Sequence, residues 1–231
     1  MIKKFNQYIN EKYVDNAPLG SKLSYGNPQK YQKEKMDKGS ELFSKVKELG
    51  LLDEWKSSEP LDQDSEAIKK ELESLIVLGD SQTEEDKQFV KDAEKDLSKI
   101  FSDFLRKNGI DYIDKKDIDA ICDELDPLTY TLKYHFNYPR PYQLASALNI
   151  PLYPSQSTDA CSPSYPSGHS IDSFVIAGLI AKKFPQLKKE ALALGEKTSK
   201  SRLLGGIHFP SDAEFGKKIA EEILDQDLLS L

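Results

Sequence analysis

The stretch "TEEDKQFVKDAEKDLSKIFSDFLRKNG", Thr83 to Gly109, decides the fold class. Phe89, Ala93, Leu97, Ile100, Phe101 and Phe104 recur at the three- and four-residue spacing of a single helical face. Thr83 and Asp86 start it as a capping box, and Gly109 ends it. The neighbouring segments repeat the device. "PQKYQKEKMDKGSELFSKVKELG" (28–50) places Leu42, Phe43, Val46 and Leu49 on one face and stops at Gly50. "SEAIKKELESLIVLG" (65–79) does the same with Leu72, Leu75 and Ile76.

Toward the C-terminus a helix is predicted from just after Asp114 toward His135, strained by Pro127. Prolines at 139, 141, 151, 154, 163 and 166 make the next stretch mostly loop, with a short helical turn around Tyr142–Leu148. Helices resume at Ser167–Phe184, Gln186–Leu204 and Ser211–Asp227. No segment alternates as a strand would, and no repeat is present. The polar "KSSEPLDQDS" (56–65) is not read as a domain boundary, because the amphipathic helices on either side need each other's apolar faces. The expected fold is all-α: a single-domain helical bundle over residues 1–231, with a helical N-terminal part (1–115) of no assigned role and a core at 120–225.

Composition narrows the function. The chain of 231 residues carries a net charge of −7, with 38% hydrophobic and 31% charged residues, which disfavours a general nucleic-acid binder. The longest apolar run, "FVIAGLIA" (174–181), is far too short for a membrane span and reads as a buried helix. Polar residues interrupt "MIKKFNQYINEKYV" where a secretion signal needs an apolar core, so a cytoplasmic protein is expected. Cys122 and Cys161 have neither metal-ligand spacing nor a disulfide-framework count. They read as reduced thiols, with a single bridge left open.

Three segments hold what an oxyanion site needs. In "KYHFNYPRP", Lys133 and Arg140 stand seven apart, and Pro141 fixes the chain after the arginine. In "YPSGHS", Ser167, Gly168 and His169 fall at the start of the buried helix, where unpaired N–H groups and the helix dipole favour an anion. In "SRLLGGIHFPSD" (201–212), Arg202 precedes His208, and Asp212 follows His208 by four residues, the spacing at which a carboxylate can orient an imidazole. Each piece alone has an ordinary reading as a solvated cation, a helix cap or a surface pair. From Lys133 to Asp212, nine Lys and Arg stand against five Asp and Glu, a local excess of positive charge in an acidic chain. His135 is given no role.

Together the three segments resemble the type 2 phosphatidic acid phosphatase superfamily, whose pattern is K-x6-R-P, then P-S-G-H, then S-R-x5-H-x3-D. Every specified position is present, from Lys133 and Arg140-Pro141 through Pro166-Ser167-Gly168-His169 to Ser201-Arg202, His208 and Asp212. The resemblance covers about residues 120–225. It implies a helical bundle of the acid phosphatase and vanadium haloperoxidase type, and a pocket in which Lys133, Arg140, Arg202, Ser167 and the Gly168 N–H hold a phosphoryl group. His208 would be the nucleophile and form a phosphohistidine, Asp212 would orient it, and His169 would protonate the leaving oxygen. No metal or cofactor is expected, with vanadate an inhibitor. The expected activity is hydrolysis of small soluble phosphomonoesters. The alternatives are a haloperoxidase that uses vanadate as its cofactor and a diphosphatase using the same pocket. A small phosphorylated substrate is the expected partner, without nucleic acid or membrane, and a homodimer is left open. The first residues also resemble the capsid-targeting leaders of tailed-phage internal proteins, with Ile9-Asn10-Glu11 as the cleavage site, which would place the protein in a virion.

Overall fold

The helix that begins at Gly168 has Ile171, Val175, Ile176 and Ile180 wholly buried on different sides, and the rest of the fold is arranged around it. A computed structural model describes residues 22–152, 154 and 161–231. The helices are α1 (Lys30–Asp37), α2 (Glu41–Glu48), α3 (Leu51–Lys56), α4 (Glu66–Asp80), α5 (Glu84–Lys95), α6 (Leu97–Lys107), α7 (Lys115–Phe136), α8 (Pro141–Ala147), α9 (Gly168–Lys183), α10 (Lys188–Leu204) and α11 (Pro210–Asp225). No strand occurs among the described residues, so the all-α expectation holds. The proposed phage leader at 1–11 lies outside them.

Central α9 packs against α10, α11 and α7. Helices α4 and α5 cover α10, while α1, α2, α3 and α6 lie on α7. One core therefore joins Leu42, Trp55 and Leu72 of the N-terminal half to Ile176 and Ile219 of the other half. Each such fully buried side chain contributes about 1.5–3 kcal/mol. Trp55 also donates its indole N–H to Glu222, tying α3 to α11. None of the described helices is long and apolar enough to cross a membrane.

Close approach to α9 depends on glycines in its neighbours. A Cβ at Gly216 would lie 2.8 Å from the Ser167 carbonyl oxygen and 2.9 Å from Ser170 Cβ. One at Gly195 would lie 2.9 Å from Ala177 Cβ and 3.0 Å from the Ser173 carbonyl oxygen. Backbone cannot yield as a flexible side chain can, so Gly216→Ala should push α11 off the N-terminus of α9. The expected loss is about 1–3 kcal/mol, read as a lower urea midpoint at unchanged slope. Gly39→Ala, where a Cβ meets nothing within 4 Å, is the control and should not lower it.

Two helices predicted as continuous are each divided. The 28–50 segment breaks at Ser40, whose Oγ accepts from the Phe43 N–H at 3.0 Å and donates to Glu124 of α7. The 83–109 segment breaks at Asp96, whose carboxylate accepts from the Lys99 N–H at 3.0 Å and so caps a second helix. The break rotates the buried face. Val90 and Leu105 are buried, whereas Phe89, Ile100 and Phe104 are only half-buried, and Lys197 lies over the Phe89 ring. Leu49, expected on a core face, is 54% exposed, because α2 ends at Glu48 and Gly50 turns the chain at φ 76° into α3. By contrast α7 runs straight through Pro127, which is buried within it.

Candidate active site

The three motif segments come together where α7, the N-termini of α8, α9 and α11, and the last turn of α10 meet. Arg140 precedes α8 and is 2% exposed. Its Nε donates to the Ser162 carbonyl at 2.8 Å, and Nη1 donates to the Ile207 carbonyl at 2.7 Å. Nη1 also lies 2.9 Å from His208 Nε2. A guanidinium can only donate, so Nε2 is the accepting, unprotonated nitrogen of that ring. The proton then sits on Nδ1, which donates to Asp212 Oδ2 at 2.9 Å. The same oxygen accepts from the Phe209 N–H at 2.9 Å and from the Ser164 hydroxyl.

Burial holds the His208 imidazole well below its ordinary range, and Arg140, Lys133 and Arg202 depress it further. It is therefore neutral at neutral pH. Burial raises the Asp212 carboxyl to about 6, against the hydrogen bonds from Ser164 and Phe209 that lower it. Above that value the carboxylate is ionised and holds the imidazole in one tautomer and one orientation. Glu71 of α4 grips the next element: it accepts from the Ser211 N–H at 3.1 Å and the Ser211 hydroxyl at 2.8 Å.

Lys133, 4% exposed, donates to the carbonyls of Pro163 at 2.7 Å and Ser164 at 3.2 Å. An ammonium has three donors, so one remains for the cavity. Burial, with Arg140 beside it, holds this lysine well below its usual range. His169, in the first turn of α9, is likewise lowered by burial and by Arg202, while a hydrogen bond to the Ala93 carbonyl of α5 opposes the shift. The N-terminal half thus positions a motif residue. A Cβ at Gly168 would lie 3.1 Å from Thr129 Cγ2, so α7 and α9 approach closely beside the first N–H groups of α9.

A cavity of about 640 Å³ opens over this cluster, and Lys133, Arg140, Gly168, His169, Arg202 and His208 line it. Ser167 and Asp212, both wholly buried, stand behind its wall. The Ser167 hydroxyl accepts from the Ser170 N–H as a helix cap, and the Ser167 N–H donates to the Asp212 carbonyl at 3.0 Å. That bond joins α9 to α11. No disulfide joins Cys122 and Cys161, and both border the cavity. Among the described residues no group of three or more His, Cys, Asp or Glu side chains is placed to hold a metal ion.

Sequence reasoning missed the far wall, formed by Tyr31 and Lys35 of α1, Asp126 and Tyr130 of α7, and Asp172 of α9. Asp172 carried a signal, as the one Asp, Glu, Lys or Arg among 168–181 and the one residue of 170–181 that is not buried. Tyr31 and Lys35 carried none; they arrive only because α1 docks on α7.

Residues 125–220 match the family model of the PAP2 superfamily, the type 2 phosphatidic acid phosphatase superfamily that the motifs resemble. No curated protein matches the chain. Among solved structures it is similar to a bacterial vanadium-dependent iodoperoxidase, with a TM-score of 0.55 at 17% identity. The match covers 74% of this chain and 50% of the other, so this chain corresponds to about half of that structure. At such identity the likeness is one of fold.

Proposed function

We propose that this chain, whose residues 125–220 are of PAP2-superfamily type, hydrolyses small soluble phosphomonoesters through a phosphohistidine. One observation carries the reading. His208 Nε2 is unprotonated, and its ring is held from behind by Asp212. It lies in a cavity lined by Lys133, Arg140 and Arg202.

The three cations would take the phosphoryl oxygens, together with the N–H groups at the start of α9. Arg140, which now rests on the Nε2 lone pair, would turn its N–H onto phosphate oxygen and free that lone pair. Nε2 then attacks phosphorus as the ester P–O bond breaks, and His169 gives its proton to the departing oxygen. In the second half His169 takes a proton from water, the water oxygen bonds phosphorus, and the N–P bond breaks to release phosphate and neutral His208. Fixed positive charge aimed at oxygens that gain charge in the transition state supplies the largest share of the acceleration.

The test is an activity screen of the full chain over phosphomonoesters, a diphosphate, and iodide with peroxide, each with and without vanadate and chelator. Phosphomonoester hydrolysis that chelator leaves unchanged and vanadate inhibits is the expected result. Activity that chelator abolishes and a divalent ion restores would overturn the reading. So would peroxide-dependent halide oxidation as the sole activity.

A further inference from the structure

The cavity is bipolar, and its acidic half has no task in phosphate binding. On α7 the residues Asp119, Cys122, Asp123, Asp126, Thr129, Tyr130 and Lys133 all border it, at the spacing of one helical face. Lys133 marks the phosphate end. Asp126 lies two turns away, about 10 Å along the axis. From α9, Gly168 and His169 border the phosphate end, and Asp172 stands one turn on, about 6 Å away.

The acidic half already accepts one alkylammonium. Lys35 Nζ from α1 sits 2.8 Å from Asp126 Oδ2 and 5.3 Å from the centroid of the Tyr130 ring. A single lysine there faces two carboxylates. Asp172 makes no hydrogen bond or ion pair among the described residues, although it lies in the wall of a buried helix. Burial, and then the Asp126 charge, push its carboxyl up to about 8, and the charges of Lys35 and Lys133 oppose this only in part. A neighbouring hydroxyl on the same wall is also unpaired. Thr129, 5% exposed, borders the cavity between Asp126 and Lys133, and its hydroxyl has no hydrogen-bond partner. Buried hydroxyls are rarely left so. No three of these side chains converge as a metal cage would require.

We infer that Asp172 and Asp126, with the face of Tyr130, form a subsite for an ammonium group carried by the leaving alcohol, which makes aminoalkyl phosphates the preferred esters. This deepens the phosphatase reading and rests on it for the ester bond, though not for binding. Three fixed cations hold the phosphoryl group at one end, and the carboxylates hold the ammonium at the other. A spacer of roughly three to six carbons bridges the about 6 to 10 Å between them. Neutral alcohols of the same length give Asp172 no cation against which to ionise and bind less well.

Calorimetry of the full chain with two non-hydrolysable probes, butylphosphonate and 4-aminobutylphosphonate, tests the subsite apart from turnover. The amino compound should bind about tenfold more tightly, and the ratio should fall to about twofold or less in Asp172→Asn. Asp126→Asn serves as the second variant should the first not fold. Equal affinities in the unaltered protein would overturn the subsite and leave the hydrolase reading standing. A preference that survives both substitutions would overturn it as well. The preference together with no hydrolysis of either corresponding phosphate ester would overturn the hydrolase reading alone. If neither phosphonate binds, both fall.

Discussion

His208→Ala is expected to remove phosphomonoester turnover by at least about 10⁴-fold, and with it any acid-labile phosphoenzyme. The geometry makes the loss specific to the nucleophile. Lys133 keeps its bonds to the carbonyls of Pro163 and Ser164, and Arg140 keeps its bonds to the carbonyls of Ser162 and Ile207. Phosphate should therefore still bind the variant. Asp212 loses one of its three donors and keeps those from Phe209 and Ser164, so a destabilisation of about 1–3 kcal/mol accompanies the change. Denaturant unfolding separates that penalty from the catalytic one. Rapid-quench trapping of labelled phosphate is the decisive measurement. Label retained on His208→Ala but absent from His169→Ala would exchange the roles of the two histidines.

His169→Ala is expected to divide substrates by leaving group. An alkyl phosphate needs its departing oxygen protonated and should lose about 10²- to 10⁴-fold. An activated phenyl phosphate should lose far less in the first step, and then accumulate phosphohistidine because no base activates the water. The pH dependence follows from the site's charges. His169 is held well below its usual range by burial and Arg202, so its protonated form in the free enzyme is scarce at neutral pH. Thus kcat/KM should fall as pH rises through that value. It should also fall at low pH, as His208 gains a proton and the Asp212 carboxylate, raised to about 6, is neutralised. The result is a bell on the acid side of neutrality. A bound phosphate dianion opposes the surrounding cations and raises the His169 value, so kcat should persist to higher pH than kcat/KM. Loss of the alkaline limb in His169→Ala would identify its residue. An unchanged profile would remove His169 from the proton transfers.

How much of this was legible beforehand can be argued residue by residue. The 3.6-residue spacing of Leu42 and Val46, of Leu72 and Leu75, and of Ala93, Leu97 and Phe101 specified helices, and all of these side chains are buried. Helix continuity was not legible at Ser40 or Asp96. The 83–109 segment keeps its apolar periodicity across the break, and the deciding hydrogen bonds are a short-range cap and, for Ser40, a partner on distant α7. The motif residues could be named because their spacing places them at helix starts and ends, where a local chemical reason exists for each. Six of them line one cavity.

The sequence by itself thus determined the helical class, the basic and histidine residues that line one end of the cavity and the four-residue link from His208 to Asp212, since each depends on neighbours along the chain. Only the tertiary structure decided which nitrogen of His208 is unprotonated, because Arg140, 68 residues away, supplies the donor whose hydrogen bond it accepts. It alone placed the Ala93 carbonyl of α5 against His169 and brought Lys35 and Tyr31 to the far wall of the cavity. Those contacts arise from helices that pack through apolar faces on the far side of the same segments. No periodicity, cap or motif spacing records which polar residues such packing carries into a site.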